Sequence, residues 1–78
     1  MSTIVKNNNP KNEIISIVTP CFNEESNVTD ICIGISKIMK NQPYKYEHIF
    51  IDNCSTDSTV KKIKKLAKKD KRIKLIVN

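Results

Sequence analysis

No apolar run in the chain approaches the roughly 20 residues that a helix needs to cross a bilayer. Residues 1–12 hold no apolar stretch of signal-peptide kind, so they read as neither anchor nor secretion signal. Cysteine is scarce and unpatterned. Cys21, Cys32 and Cys54 are odd in number and form no C-x-x-C pair, which argues against a disulfide framework and for reduced thiols in the cytosol. Tryptophan is absent, and two tyrosines and two phenylalanines are the whole aromatic set. With 38% hydrophobic residues, that suffices for a thin core in one small, marginally stable domain of 78 residues. Acidic residues are few where basic ones gather, with Asp70 alone between Lys61 and Lys74. Nine of the fourteen basic residues lie between Lys61 and Lys74, and the net charge is +6.

What is present is organised around Ile14-Ile15-Ser16-Ile17-Val18-Thr19-Pro20-Cys21-Phe22-Asn23-Glu24-Glu25, where an apolar run meets a proline, a polar turn and then a helical pattern. The same grammar returns at His48-Ile49-Phe50-Ile51, which leads into Asp52-Asn53-Cys54-Ser55-Thr56-Asp57-Ser58-Thr59. Strand, sharp turn and helix are how an open α/β sheet builds a crevice at the carboxyl ends of its strands. The two polar turns are expected side by side, and function is expected there.

Residues 1–12, with Asn7-Asn8-Asn9-Pro10, read as a disordered leader outside the fold, leaving 13–78 as the folded portion. A first strand is predicted over 13–19, apolar at nearly every position as in strands covered on both faces, and ended by Pro20. A helix is predicted over 24–40, with Val28, Ile31, Cys32, Ile35, Ile38 and Met39 as its buried stripe. Asn23 is its expected N-cap, and Glu24 and Glu25 suit the positive end of its dipole. Gly34 costs this helix about 1 kcal/mol relative to alanine and is expected to permit close packing on a strand. Asn41-Gln42-Pro43 ends it. A second strand follows over 46–52 and a second helix over 57–69, buried through Val60, Ile63, Leu66 and Ala67. A third strand closes the pattern over 72–77.

The order β-α-β-α-β implies a parallel sheet with right-handed crossovers. Strand order 3-2-1 puts both helices on one face. The other face is then bare although its residues are apolar. The sequence therefore reads as an incomplete domain, or as one that covers this face with a partner.

Ile17-Val18-Thr19-Pro20-Cys21-Phe22-Asn23-Glu24-Glu25 resembles the first-strand motif of the family 2 glycosyltransferases, inverting enzymes of the GT-A fold, commonly written V-V-P-x-Y/F-N-E-E. Asp52-Asn53-Cys54-Ser55-Thr56-Asp57-Ser58-Thr59 resembles the family's second turn, D-D/N-x-S-x-D-x-T. The two motifs stand at the family's spacing, each after a strand. Among subgroups, the chain is most similar to dolichol-phosphate and polyprenyl-phosphate sugar transferases and to bacterial enzymes that build cell-surface polysaccharide. The resemblance implies a Rossmann-like β-α-β-α-β half of a GT-A fold.

It also implies transfer of a sugar from a nucleotide sugar, UDP- or GDP-linked, to an acceptor hydroxyl. Pro20, Phe22 and Glu24 would line the first loop against the nucleotide, with Asn53 and Ser55 in the second. Asp52 would accept a hydrogen bond from the base imide N–H; alternatively it serves only its own turn. Asp57 reads more simply as a helix cap than as a ligand contact. The family's D-x-D carboxylates, which hold a divalent Mg or Mn ion, and its general base lie after later strands. No D-x-D occurs here, so the chain holds no catalytic or metal residue of its own and is expected to be inactive alone. The family often has glycine where Cys54 and Ser58 stand, which puts a cost on Cys54 if the turn needs positive φ.

The lysines of the second helix read as a solvated face rather than as a nucleic-acid site, since no aromatic residue interleaves with them. The expected setting is cytoplasmic, extending to the cytoplasmic face of a membrane in the complete protein. His48 has no Cys or His cluster beside it for a metal. Cys21 and Cys54 follow neighbouring strands and are expected near each other, and Cys32 reads as core. The remaining alternative is a non-catalytic interaction module that uses its bare sheet face or its lysines.

Overall fold

Strand, turn and helix alternate as the apolar pattern predicts. The computed structural model describes residues 3–6 and 14–78. Its elements are β1 (Thr3–Lys6), β2 (Ile14–Cys21), α1 (Val28–Lys40), β3 (Lys45–Asp52), α2 (Thr59–Lys69) and β4 (Ile73–Val77). The sheet order is β1-β2-β3-β4. The parallel core is the predicted one. β2 and β3 run in register from Ile14 opposite Lys45 to Cys21 opposite Asp52, and β3 and β4 from His48 opposite Ile73 to Asp52 opposite Val77.

The edge strand β1 is a correction. Within the expected leader, Thr3–Lys6 pairs antiparallel with β2, from Thr3 opposite Val18 to Lys6 opposite Ile15. The β-branched run Thr3-Ile4-Val5 suits this pairing, but it is too short to show a period in the sequence. The rest of the expected leader lies outside the described residues. A second correction concerns Pro20, which does not end β2; the strand continues to Cys21. Among the described residues Pro20 has a strand neighbour only in β3, and a missing donor is tolerated where no partner strand needs it.

Alternation sorts the strands into two faces. Ile17, Thr19, Cys21, His48, Phe50, Asp52 and Ile73 are buried on the helix-covered face. The core gathers Cys21, Val28, Phe50, Ile63 and Ile73, with Ile31, Cys32, Leu66, Ala67 and Leu75 packed around it. Phe50 and Ile63 are fully buried at its centre, each contributing about 1.5–3 kcal/mol. On the opposite face Val18 stands opposite Ile49 and Ile51 opposite Ile76, with Ile76 half-exposed, so this face is bare among the described residues as the topology requires. Its one described polar pair is the Ser16 hydroxyl donating to Glu47 Oε1 at 2.8 Å.

Three details of α1 differ from expectation. It starts at Val28 rather than at 24, with Asn27 as its N-cap. Ile38 is 62% exposed, because it sits about 100° round the helix from buried Met39 and faces no neighbour. Gly34 is exposed, and a Cβ there would meet nothing within 4 Å, so close packing does not explain it.

Candidate functional site

Because Cys21 and Asp52 are register partners, β2 and β3 end level and their loops emerge together. Asn53 N–H donates to the Cys21 carbonyl at 2.9 Å, and Asn78 N–H to the Asp52 carbonyl at 3.0 Å, so the ladder continues past all three strand ends. The predicted meeting of the two polar turns is observed.

The loops are laced by hydrogen bonds between residues more than thirty apart. Asn23 Oδ1 accepts the Thr56 N–H at 2.8 Å and the Asp57 N–H at 3.4 Å. Asn23 N–H donates to Ser55 Oγ at 2.9 Å, Glu24 N–H to Thr59 Oγ1 at 2.9 Å, and Glu25 N–H to Asp57 Oδ2 at 3.4 Å. Lys62 Nζ donates to the Glu25 carbonyl at 2.7 Å. This lacing explains the late start of α1. The backbone from 23 to 25 serves the neighbouring loop, and the chain turns through Glu24, whose carbonyl accepts from Asn27 and Val28, before the helix begins. Asn23 is therefore not the N-cap of α1. It is the clamp between the loops, with φ at 51°, a left-handed conformation that asparagine tolerates better than most residues. Sequence reasoning missed this role, and the only signal for it was asparagine directly after a strand-ending turn.

Asp52 is 1% exposed. Its Oδ2 accepts the Ser55 N–H at 3.1 Å, its Oδ1 accepts the Ser55 hydroxyl, and the Cys21 thiol approaches Oδ1 at 3.8 Å. The carboxylate thus organises its own turn. A short chain of bonds links it to the first loop, from Asn23 N–H to Ser55 Oγ to Asp52. Among the other expected nucleotide-binding residues, Phe22 is 55% exposed, Pro20 and Asn53 are exposed, and Glu24 and Ser55 are half-buried. Pro20 and Asp52 stand at the ends of β2 and β3, and Phe22, Glu24, Asn53 and Ser55 lie on the two adjoining loops that follow. The Glu24 carboxylate is held by the Asn27 amide at 2.9 Å.

Asp57 accepts the Thr59 N–H at 2.9 Å and the Thr59 hydroxyl, the capping role that the sequence favours. Desolvation pushes its carboxyl up, but the bonds from Thr59 and Glu25 outweigh it and hold the group below its ordinary value. Cys54 has φ 60°, the costly angle that its side chain raised as a concern. It is exposed and its thiol points to the Asn78 carbonyl at 3.5 Å, whereas Cys21 is buried and turned to Ile51 and Asp52; both are free thiols. Burial first, and the Asp52 carboxylate second, push the Cys21 thiol up to about 11, so it stays protonated.

His48, 1% exposed, lies under the sheet-helix layer rather than in the site. Its Nε2 is 2.8 Å from Thr19 Oγ1, and its ring leans on Phe50 with centroids 4.2 Å apart. A concavity of about 640 Å³ opens at the amino ends of β2 and β3, lined by Ile14, Lys45, Tyr46 and Arg72, at the opposite end of the strands from both loops. It contains none of the motif residues, so the loop pair remains the candidate site. Among the described residues no group of three or more His, Cys, Asp or Glu side chains could hold a metal ion, and no helix is long and apolar enough to cross a membrane.

Three parallel strands with two helices on one face and paired polar loops at the carboxyl edge make a Rossmann-like α/β fold. The family model for glycosyl transferase family 2 matches residues 16–78, and the chain belongs to that family. It is 42% identical over 66 residues to the putative glycosyltransferase CsbB of Bacillus subtilis, covering 85% of this chain and 20% of that protein. It is 37% identical over 46 residues to the dodecaprenyl-phosphate galacturonate synthase of Rhizobium johnstonii, covering 59% of this chain and 14% of that protein. No solved structure matches it significantly. The chain spans a fifth or less of the length of these two curated relatives.

Proposed function

We propose that the complete protein is an inverting transferase that moves a sugar from a UDP- or GDP-sugar to an acceptor hydroxyl, and that this chain forms the nucleotide-side wall. The observation that carries the reading is the locked loop pair, Asn23 to Ser55 to Asp52, at the carboxyl edge of the sheet in a family 2 chain. Pro20, Phe22, Glu24, Asn53 and Ser55 meet the nucleotide. Asp52 accepts from the base N–H, and its 1% exposure requires the Ser55 hydroxyl to turn aside as the base enters. The carboxylate keeps the Ser55 N–H on Oδ2 while its freed lone pair takes the base.

The residues present do not fit a divalent metal, so no step is assigned to one within this chain; in the complete enzyme its ligands would come from elsewhere. The 78-residue chain alone transfers no sugar. The remainder of the glycosyltransferase domain, or a second copy of the chain, covers the open sheet face. The complete protein works in the cytoplasm at the membrane face. The test is calorimetric titration of UDP and of GDP into the protein. Saturable binding of one of them, with amide shifts at 22–24 and 52–56 in NMR spectra, is expected. Failure of both to bind, or shifts confined to the amino ends of the strands, would overturn the reading.

A further inference from the structure

Six lysines crowd the eleven residues of α2, and the helix carries no acidic residue. Lys61, Lys64, Lys65 and Lys68 line a shallow groove of about 510 Å³ that begins at Asp57, the capping residue of the second loop, and passes Val60. None of these four has an ion-pair partner among the described residues; the described pair nearby is Arg72 with Asp70 at 3.0 Å, beyond the end of the helix. The groove beside it, between α1 and α2, contains Lys37, Lys69 and Asp70 around Ile33, which is 47% exposed, and Leu66, which is half-buried against the core. The exposed face of α2 is thus a strip of lysines without ion-pair partners among the described residues, with Asp57 at one end and exposed Ile33 in the neighbouring groove.

We infer that this face of α2 docks on an anionic lipid bilayer. Clustered lysines are drawn to an anionic leaflet in proportion to their number, and the attraction falls off within a Debye length. Three observations favour a bilayer over nucleic acid. The cations are lysines, compact hydrated charges without the planar fork that arginine offers to phosphates and bases. No aromatic residue stands on the face to stack on bases. The exposed Ile33 beside the lysines suits the headgroup boundary of a bilayer, where amphipathic helices rest, and offers a phosphate backbone nothing. The inference rests in part on the proposed transfer reaction, because a relative named for a polyprenyl-phosphate acts on a lipid-linked molecule. Since the groove starts at Asp57, docking here sets the loop pair beside the membrane surface.

The experiment is co-sedimentation of the protein with vesicles of phosphatidylcholine alone or of phosphatidylcholine with one-third phosphatidylglycerol. Expected is binding to the anionic vesicles, none to the neutral ones, and release as salt rises to about 0.5 M, where the Debye length shrinks to a few ångströms. The variant Lys64→Gln/Lys65→Gln/Lys68→Gln should bind at least tenfold more weakly. The control Lys40→Gln/Lys45→Gln/Lys74→Gln, which removes equal charge at the far concavity, should stay within about threefold, since only charges close to the bilayer surface are attracted to it. Equal loss in both variants would reduce the effect to net charge and overturn the inference, as would equal binding to neutral vesicles. Tighter retention of a short DNA duplex than of anionic vesicles would overturn it in favour of nucleic acid. UDP and GDP titrations on the same variants keep the two proposals apart, because they read the loop pair and not the lysine face.

Discussion

Asn23 Oδ1 accepts the backbone N–H of Thr56 at 2.8 Å across 33 residues of sequence. One asparagine side chain therefore ties the turn after β2 to the turn after β3. Replacing it with alanine leaves two N–H groups without an acceptor and puts an ordinary side chain at φ 51°. Asn23→Ala should lower stability by about 1–3 kcal/mol, read as an earlier urea midpoint with an unchanged slope. Asn23→Gly should recover part of the loss by relieving the angle. Equal losses in the two variants would show that the angle costs nothing here.

Cys54 gives the opposite case, since its φ of 60° is served by only a weak thiol bond to the Asn78 carbonyl at 3.5 Å. Cys54→Gly should stabilise the fold by up to about 1 kcal/mol, the relief of the left-handed angle less the extra freedom of glycine when unfolded. Gly34→Ala should do the same by a different route, because a Cβ at this exposed helical position meets nothing and alanine gains about 1 kcal/mol in helix propensity. Thermal midpoints of the two single variants and the double variant check both effects, which should add because the sites share no partner.

His48 sets the pH response of the core. Burial lowers its pKa from 6.5 to about 4. Above pH 6.5 neither the folded nor the unfolded chain carries the proton, and the contribution to stability is complete. As pH falls from 6.5 towards 4 the unfolded chain takes the proton first, so stability falls by about 1.4 kcal/mol per pH unit and levels off below 4. The loss between pH 7 and pH 5 should be about 2 kcal/mol in urea unfolding, and His48→Gln should flatten it. An unchanged slope in that variant would place the titration elsewhere.

The sheet itself was legible in the sequence. The apolar runs at 14–18 and 48–51, each followed by a polar turn, specified two parallel strands and their neighbouring loops, and the register of Cys21 with Asp52 follows from that layout. β1 was not legible, because four residues beside an asparagine-rich stretch are too few to show a period. The start of α1 was misplaced because residues 23–25 obey contacts to the other loop, which no local pattern records. In the site, residue identities were legible and their roles only partly so. Asp52 was readable as a strand-end carboxylate, but its burial behind Ser55 depends on a hydrogen bond within the turn.

The open sheet face predicts self-association. Val18, Ile49, Ile51 and Ile76 stand on it without a covering layer among the described residues, and exposed contiguous apolar surface seeks a partner. Sedimentation velocity should show dimers or larger species, shifted towards monomer by Ile51→Ser/Ile76→Ser. A wild-type monomer with sharp, dispersed amide resonances would contradict this.

The central claim is that the paired loops recognise a nucleotide through Asp52, and one calorimetric comparison tests it most directly. UDP and GDP are titrated into wild type, Asp52→Asn and Ser55→Ala, each with and without chelator. A lost charge-assisted hydrogen bond is worth about 1.5–3 kcal/mol. Asp52→Asn should therefore bind the preferred nucleotide about ten- to a hundredfold more weakly, and chelator should not change that ratio. Ser55→Ala should also bind more weakly, because its hydroxyl is the link from the Asn23 N–H to Asp52 that holds the two loops together. Equal affinity for wild type and Asp52→Asn would make Asp52 a turn residue only and contradict the account.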